Sequence, residues 1–283
     1  MQDVRQRTAL VERAARAGGA VARDAFRGPL TVDTKADKND LVTDADRETQ
    51  RQIVHTIAEE FPDEPFVCEE EPDTEAAEAA ENGSNSPPSQ RTGPMVEAVP
   101  DTGPCWVVDP IDGTANFARG SVLWASSVAA VVDGETVAAA TYLPVVQDIY
   151  TAGPDSATRN GQRLVVSDRT DPETFAVALV AAGSADRSER FGGLARTINQ
   201  RFGDSRRYGT LQGTLGFVAS GELEAAVTTE PTTAWDTLAG VKLVRSAGGV
   251  VTDLHGDHWT IGSDGLVASN DEAHEELLAA VET

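Results

Sequence analysis

The chain has almost no lysine. Lys35, Lys38 and Lys242 are the only three in 283 residues, and 23 basic residues face 46 acidic ones for a net charge of −23. A surface this negative repels nucleic acid and anionic lipid, which argues against both as partners. Cysteine is nearly missing too. Cys68 and Cys105 are too few for a disulfide scaffold, and they read as two buried thiols of a reducing compartment. No apolar run is long enough for a membrane span, and no charged-then-apolar leader is evident. The expectation is a cytoplasmic protein without membrane partners. The four histidines (His55, His255, His258 and His274) lie outside every acidic cluster. That gives no support to histidine-based zinc or nucleophile chemistry, and His255-Gly256-Asp257-His258 reads as a surface turn.

Carboxylates in ordered clusters are what the chain does have. In Trp106–Phe117 three apolar residues run into Asp109-Pro110-Ile111-Asp112-Gly113-Thr114. The apolar part predicts a buried strand that stops at Pro110, which lacks an N–H. Asp109 and Asp112 then converge with nothing basic between them, an arrangement made tolerable by a hard divalent cation such as Mg²⁺. Gly113 permits a tight turn that brings backbone N–H close to an anion, and Thr114 adds a hydroxyl. Taken alone, the segment is equally an Asp-Gly turn with a capping threonine.

Three further clusters change that balance. Asp40-Leu41-Val42-Thr43-Asp44-Ala45-Asp46 leads into a helical pattern through Ile53, Ile57 and Phe61, with Thr43 or Asp44 as its cap and Asp46 in its first turn. Phe66-Val67-Cys68-Glu69-Glu70 is a second short apolar run ending in acids. Trp235-Asp236-Thr237-Leu238-Ala239-Gly240 opens another helix, with Asp236 as its N-cap or as a ligand.

In this order the four segments resemble the motifs of the inositol monophosphatase family. Asn160–Ser167 and Phe217–Gly221 extend the similarity over nearly the whole chain. The resemblance implies a mixed α/β fold, a layered αβαβα sandwich of the sugar-phosphatase type. It implies a phosphomonoesterase using two or three Mg²⁺ ions, with Glu69, Asp109 and the Ile111 carbonyl on one and Asp109, Asp112 and Asp236 on a second. Asp46, Thr114 and Glu69 are the implied catalytic residues, Thr114 and Asp46 orienting and deprotonating the attacking water. Gly113 and Thr114 would cradle the phosphate with their amides, and Asp112, Asp236 and Glu230 would contact the substrate. The implied substrates are inositol 1-phosphate, fructose 1,6-bisphosphate or both, with 3′-phosphoadenosine 5′-phosphate or another sugar phosphate as the alternative, and the implied assembly is a homodimer. A non-catalytic relative would be expected to lack one of these acids, and none is missing. Three departures stand out. Cys68 replaces the glycine before the acidic pair, and Leu211-Gln212 follow Gly209-Thr210 where the family has small residues beside the polyol. Glu69 and Asp109 are also spaced about twice as far apart as usual, which predicts an acidic insertion over 72–104 whose Pro- and Ser-rich part is a surface excursion.

A single catalytic unit over 1–283 is expected, with a metal-binding half to about residue 167 and a second half that completes the site. Predicted elements are a helix over Val4–Phe26, weakened by Gly18-Gly19, and strands over Ser121–Val132, Thr136–Leu143 and Asp148–Ala152. Beyond these come a strand over Phe175–Val180, a helix over Glu189–Phe202, a strand near Arg206–Tyr208, a helix over Thr214–Ser220, a strand over Glu224–Thr228 and a helix over Thr237–Ser246.

The acid excess with so little lysine resembles proteins of a salt-rich, halophilic cytoplasm. Salt screens the self-repulsion that such a charge creates. Melting temperature should therefore rise with KCl into the molar range, while Mg²⁺ should restore part of the low-salt loss and saturate as a bound ligand does. A melting temperature flat from dilute buffer to molar KCl overturns the high-salt reading.

Overall fold

Two sheets carry most of the strands, and the apolar residues alternate between the layers on either side of them. The structure, a computed structural model, describes residues 2–29, 32–34, 41–71, 93–180 and 189–281. Lys35, Lys38, Asp40 and residues 72–92 of the insertion lie outside the described residues. The chain opens with helix α1 (Gln2–Ala25), a two-stranded ladder of β1 (Val32–Thr34) and β2 (Leu41–Thr43), and helix α2 (Asp44–Ala58). A seven-stranded sheet follows, made of β3 (Phe66–Cys68), β4 (Pro104–Asp112), β5 (Ala125–Val132), β6 (Glu135–Leu143), β7 (Asp148–Ala152), β8 (Ala157–Arg159) and β9 (Gln162–Arg163) in chain order. Its pairs are antiparallel except β3 with β4. The one-turn helix α3 (Thr114–Ala118) interrupts the sequence after β4.

The second half contains β10 (Ala176–Leu179), α4 (Glu189–Arg201), β11 (Asp204–Arg206), α5 (Leu211–Ala219), β12 (Ala225–Thr228), α6 (Ala234–Ser246), β13 (Val250–Thr252), β14 (Leu266–Ser269) and α7 (Asp271–Val281). Its strands form a mixed five-stranded sheet in the order β11-β10-β12-β14-β13.

Strand periodicity sorts the core. On β4, Trp106 and Val108 pack with α1 and α2, whereas Cys105 and Val107 face the cluster of Leu215, Leu238 and Val241 from α5 and α6. On β10, Val177 joins Ile198 of α4 and Leu277 of α7, while Ala178 faces the other way. The layers are therefore α1/α2, the seven-stranded sheet, α5/α6, the five-stranded sheet and α4/α7, the αβαβα sandwich that the resemblance implies.

Several boundaries differ from the sequence reading. The β11 strand lies at 204–206 rather than 206–208, and β5 begins at Ala125 rather than Ser121. Helices α5 and α6 each start three residues earlier than their apolar patterns suggest, because Thr210 and Thr233 cap them. The Gly18-Gly19 pair leaves α1 intact and serves close packing. A Cβ on Gly18 would lie 2.4 Å from Ile53 Cγ1, and one on Gly19 would lie 2.5 Å from Tyr142 Cδ1. Asp133-Gly134 and Asn160-Gly161 both make two-residue hairpin turns with two positive φ angles, 52° and 78° in the first and 51° and 78° in the second. Cys105 is buried as expected, whereas Cys68 is partly buried against the core; both thiols are free.

The end of the insertion is not a loose excursion. Phe66 N–H donates to Pro94 O at 2.9 Å, and Val96 N–H donates to Phe66 O at 2.8 Å. Residues 94–96 thus run beside β3 and cover an otherwise open sheet edge. Replacing 72–92 by a short Gly/Ser link should keep the melting temperature within about 3 °C, since loop closure depends weakly on length. Extending the cut through Val96 removes these ladder bonds and should lower it by about 5 °C or more. Equal melting temperatures for the two deletions would show that the pairing does not stabilise the sheet.

Candidate active site

The site forms where β4 breaks its register. Asp109 opposes Ser127 and Asp112 opposes Ala125, so three steps on β4 match two steps on β5. In a regular strand residues 109 and 112 point to opposite faces; one extra residue restores the parity and puts both acids on the inner face. Pro110 sits in this bulge, where its missing N–H costs no ladder bond. Its carbonyl accepts from Ser126 Oγ at 2.7 Å.

Asp109 is 1 % exposed, and neither carboxylate oxygen has a hydrogen-bond partner among the described residues. Burial holds its pKa well above the usual carboxylate range, and the nearby charges of Glu69, Asp112, Asp236 and Asp46 push it further up. Oxygens of Asp109, Asp112 and Asp236 all lie within 4.8 Å of one another. Five of the acids singled out in the sequence are thus brought to one place.

Three of them are held by helix N-termini. Asp46 Oδ2 accepts from the Thr43 N–H at 2.8 Å and from Thr43 Oγ1 at 2.5 Å, which closes the cap of α2. Asp112 accepts from the N–H groups of Leu211 at 2.9 Å and Gly213 at 3.1 Å and from the Thr210 hydroxyl, at the start of α5. Burial still raises its pKa to about 6, partly offset by these bonds and reinforced by Asp236. Asp236 lies in the first turn of α6 and accepts from the capping Thr233 Oγ1 at 2.7 Å. It is therefore not the N-cap itself.

Thr114 Oγ1 lies 3.0 Å from Ile111 O and 3.3 Å from Asp46 Oδ1. Gly113 before it has φ = 91°, and a Cβ there would come 2.9 Å from Gly209 O, so glycine is required on both counts. Glu69 follows β3 and donates its N–H to Val108 O at 3.2 Å. Glu230 is half-buried in the turn between β12 and α6.

Sequence reasoning missed the residues that hold the acids in place. Gln50 of α2 clamps the backbone after Glu69, accepting from the Glu70 N–H at 3.0 Å and donating to Glu70 O at 2.7 Å. Asn116 Nδ2 lies 2.7 Å from both Leu123 O and Tyr208 O, which ties the Gly113 turn to the second half of the chain. Phe117 packs edge-on against Trp124 with 4.9 Å between ring centroids. The Asn-Phe pair therefore shapes the site from behind. Leu211 and Gln212 are buried as well. Gln212 bridges Trp235 O and the Gly240 N–H, joining α5 to α6, so its side chain is no part of an exposed substrate wall. Thr210 and Gln50 follow only from which helix faces which strand end, and no local pattern marks them.

Comparison with known proteins places this geometry. Residues 3–283 match the model of the inositol monophosphatase family. An inositol-1-monophosphatase, ImpA, of Mycolicibacterium smegmatis is 30 % identical over 99 % of this chain and 95 % of its own length. A fructose-1,6-bisphosphatase/inositol-1-monophosphatase of Thermotoga maritima is 29 % identical over 88 % of this chain and 86 % of its own. The Nus factor SuhB of Escherichia coli is 28 % identical over 94 % and 92 %. Among solved structures, Thermotoga maritima IMPase TM1415 superposes with a TM-score of 0.81 at 26 % identity, covering 100 % of this chain and 97 % of that one. The match runs through both sheets and every acidic cluster that converges on Asp109, and the chain belongs to the inositol monophosphatase family of metal-dependent phosphatases acting on phosphorylated sugars and polyols.

Proposed function

We propose that the protein hydrolyses a small polyol or sugar phosphate, inositol 1-phosphate or fructose 1,6-bisphosphate, with Mg²⁺ held by Glu69, Asp109, Asp112, Asp236 and the Ile111 carbonyl. The observation that carries this reading is Asp109. Its carboxylate is buried without a donor among four other acids, and a hard cation is what such an oxygen-rich set lacks. The names of the relatives from M. smegmatis and T. maritima support the substrate class.

Bound cations would neutralise phosphate charge and make water more acidic. The chain's own residues do the rest. Thr114 accepts a hydrogen bond from the attacking water at Oγ1 and hands its own proton toward Asp46 Oδ1. Asp46 is fixed for this task because its other oxygen is spent on the α2 cap. Gly113 and Thr114 offer backbone N–H groups to the phosphate oxygens at the turn that begins α3.

Phosphate release from inositol 1-phosphate, fructose 1,6-bisphosphate and 3′-phosphoadenosine 5′-phosphate, assayed with Mg²⁺ in molar KCl, tests the reading. Turnover of the first or second is expected, and turnover of the nucleotide alone overturns it. Thr114→Ala should lower kcat by about a hundredfold or more with KM nearly unchanged, because the hydroxyl acts mainly in the transition state. A raised KM with normal kcat would make Thr114 a substrate-binding residue instead.

Asp109→Asn should abolish turnover and weaken Mg²⁺ binding, yet raise the melting temperature of EDTA-treated protein. The pH dependence has a definite sign. Asp109 and Asp112 have raised pKa values when folded, so the folded state binds more protons than the unfolded one and metal-free stability falls as pH rises. For Asp112 the loss spans roughly pH 4 to 6, from its ordinary value of 3.8 to the raised value of about 6. Acidifying EDTA-treated protein toward pH 5 should raise its melting temperature, and Asp109→Asn should flatten that rise. Substantial activity in Asp109→Asn would remove the residue from the metal centre.

A further inference from the structure

Lys242, one of three lysines in a chain of net charge −23, is half-buried and makes no ion pair among the described residues. It lines a cavity of about 460 Å³ on the side of α6 away from Asp236, together with Arg245 of the same helix, His258 and Trp259 from the segment after β13, Glu135 of the β5–β6 hairpin and Asp101 before β4, so that two cations and two exposed carboxylates share its walls. That volume falls within the range of about 300–1,000 Å³ usual for small-molecule sites. Arg245 donates to the carbonyls of Val251 and Trp259 at 3.2 Å each and likewise has no ion pair among the described residues. Burial lowers the pKa of both cations, which measures the solvation they have given up, and the charge of exposed Glu135 offsets that only in part. Trp259 is 3 % exposed, and its indole N–H has no acceptor among the described residues. Leu238, Val241 and the exposed Ile261 supply an apolar wall.

Two partly desolvated cations beside one cavity form an unusual combination in so acidic a protein. Basic residues near a helix C-terminus interact favourably with its dipole, but an exposed lysine does that equally well. Lys242 is half-buried without an ion pair among the described residues, so its side chain has given up solvation that an anion in the cavity would replace. We propose that this cavity binds a small organic anion, its phosphate- or carboxylate-type head against Lys242 and Arg245 and its apolar body along Leu238, Val241 and Ile261. The site is separate from the acidic centre. Lys242 lies six residues beyond Asp236, about 9 Å along α6 at 1.5 Å per residue. An occupant would therefore rest on the helix whose first turn carries Asp236. The inference does not depend on the proposed substrate.

Phenylphosphonate, which has no hydrolysable ester, is the probe, with benzoate as the carboxylate arm. Both are titrated into EDTA-treated Asp109→Asn protein, so that the acidic centre contributes no metal-bound phosphate site. Binding is read from the Trp259 indole N–H resonance, identified by its loss in Trp259→Phe. Saturable binding with a Kd of about 1 mM or tighter is expected for at least one probe. Lys242→Met should raise Kd about tenfold or more, while Lys242→Arg should stay within about threefold. Tighter binding of phenylphosphonate assigns a dianionic head, and equal binding of benzoate a simple carboxylate; either supports the site. No shift of the Trp259 resonance by either probe at about 10 mM, or equal affinities in Asp109→Asn protein with and without Lys242→Met, overturns it. Unchanged melting temperatures of the Lys242 variants will separate lost binding from lost folding.

Discussion

The structure turns on one buried carboxylate. Asp109 is taken out of water, given no hydrogen bond by the described residues and surrounded by like charges. Burying a lone charge in this way is among the costliest things a fold can do. Part of the surrounding architecture lowers that cost for its neighbours. Asp46, Asp112 and Asp236 are each held at the N-terminus of a different helix, where unpaired N–H groups and the helix dipole favour negative charge. Three helices from three parts of the chain thus face their positive ends toward one strand end, while Asp109 has no donor among the described residues.

Sheet geometry makes this convergence possible. Asp109 and Asp112 are three residues apart, which a regular strand sends to opposite faces, and the bulge at Pro110 reverses that parity. The same break gives Gly113 a positive φ and starts α3 with the Thr114 hydroxyl between Ile111 O and Asp46 Oδ1. A short local irregularity therefore sets the direction of two acids, one hydroxyl and one phosphate-facing turn.

Much of this was legible in the sequence. The acidic segments carry their own strand or helix signals, so Asp109, Asp112, Asp46 and Asp236 could be named before any fold was known, and α1 and the β5–β6 hairpin followed from periodicity and the Asp133-Gly134 turn. The C-terminal strands β13 and β14, at 250–252 and 266–269, were not legible. They are too short for a period to register, and they are stabilised by pairing across the sheet rather than by local propensity. Gln50, Thr210 and Gln212 escaped for a related reason. Each bridges elements distant in sequence, and a buried glutamine or threonine looks locally like a surface residue. Leu211-Gln212 misled more actively, since position alone suggested a substrate wall and burial shows a helix–helix bridge.

The two halves of the chain meet through polar contacts at the site as well as through their shared apolar core. Asp112 and Asn116 belong to the first half, yet their partners Thr210, Leu211, Gly213 and Tyr208 belong to the second. The capping of α5 by Asp112 is consequently a long-range contact, available only once both sheets are in place. Neither half can assemble the acidic centre by itself, because the first supplies Asp109 while the second supplies two of the helix ends that make its neighbours tolerable. A cation bound at Asp109, Asp112 and Asp236 would then bind the docked arrangement and not the separated halves, so its binding free energy would add directly to the stability of their interface. In a chain of net charge −23, where self-repulsion works against every compact state, that coupling would place a cation's stabilising effect at a cluster of mutually repelling acids.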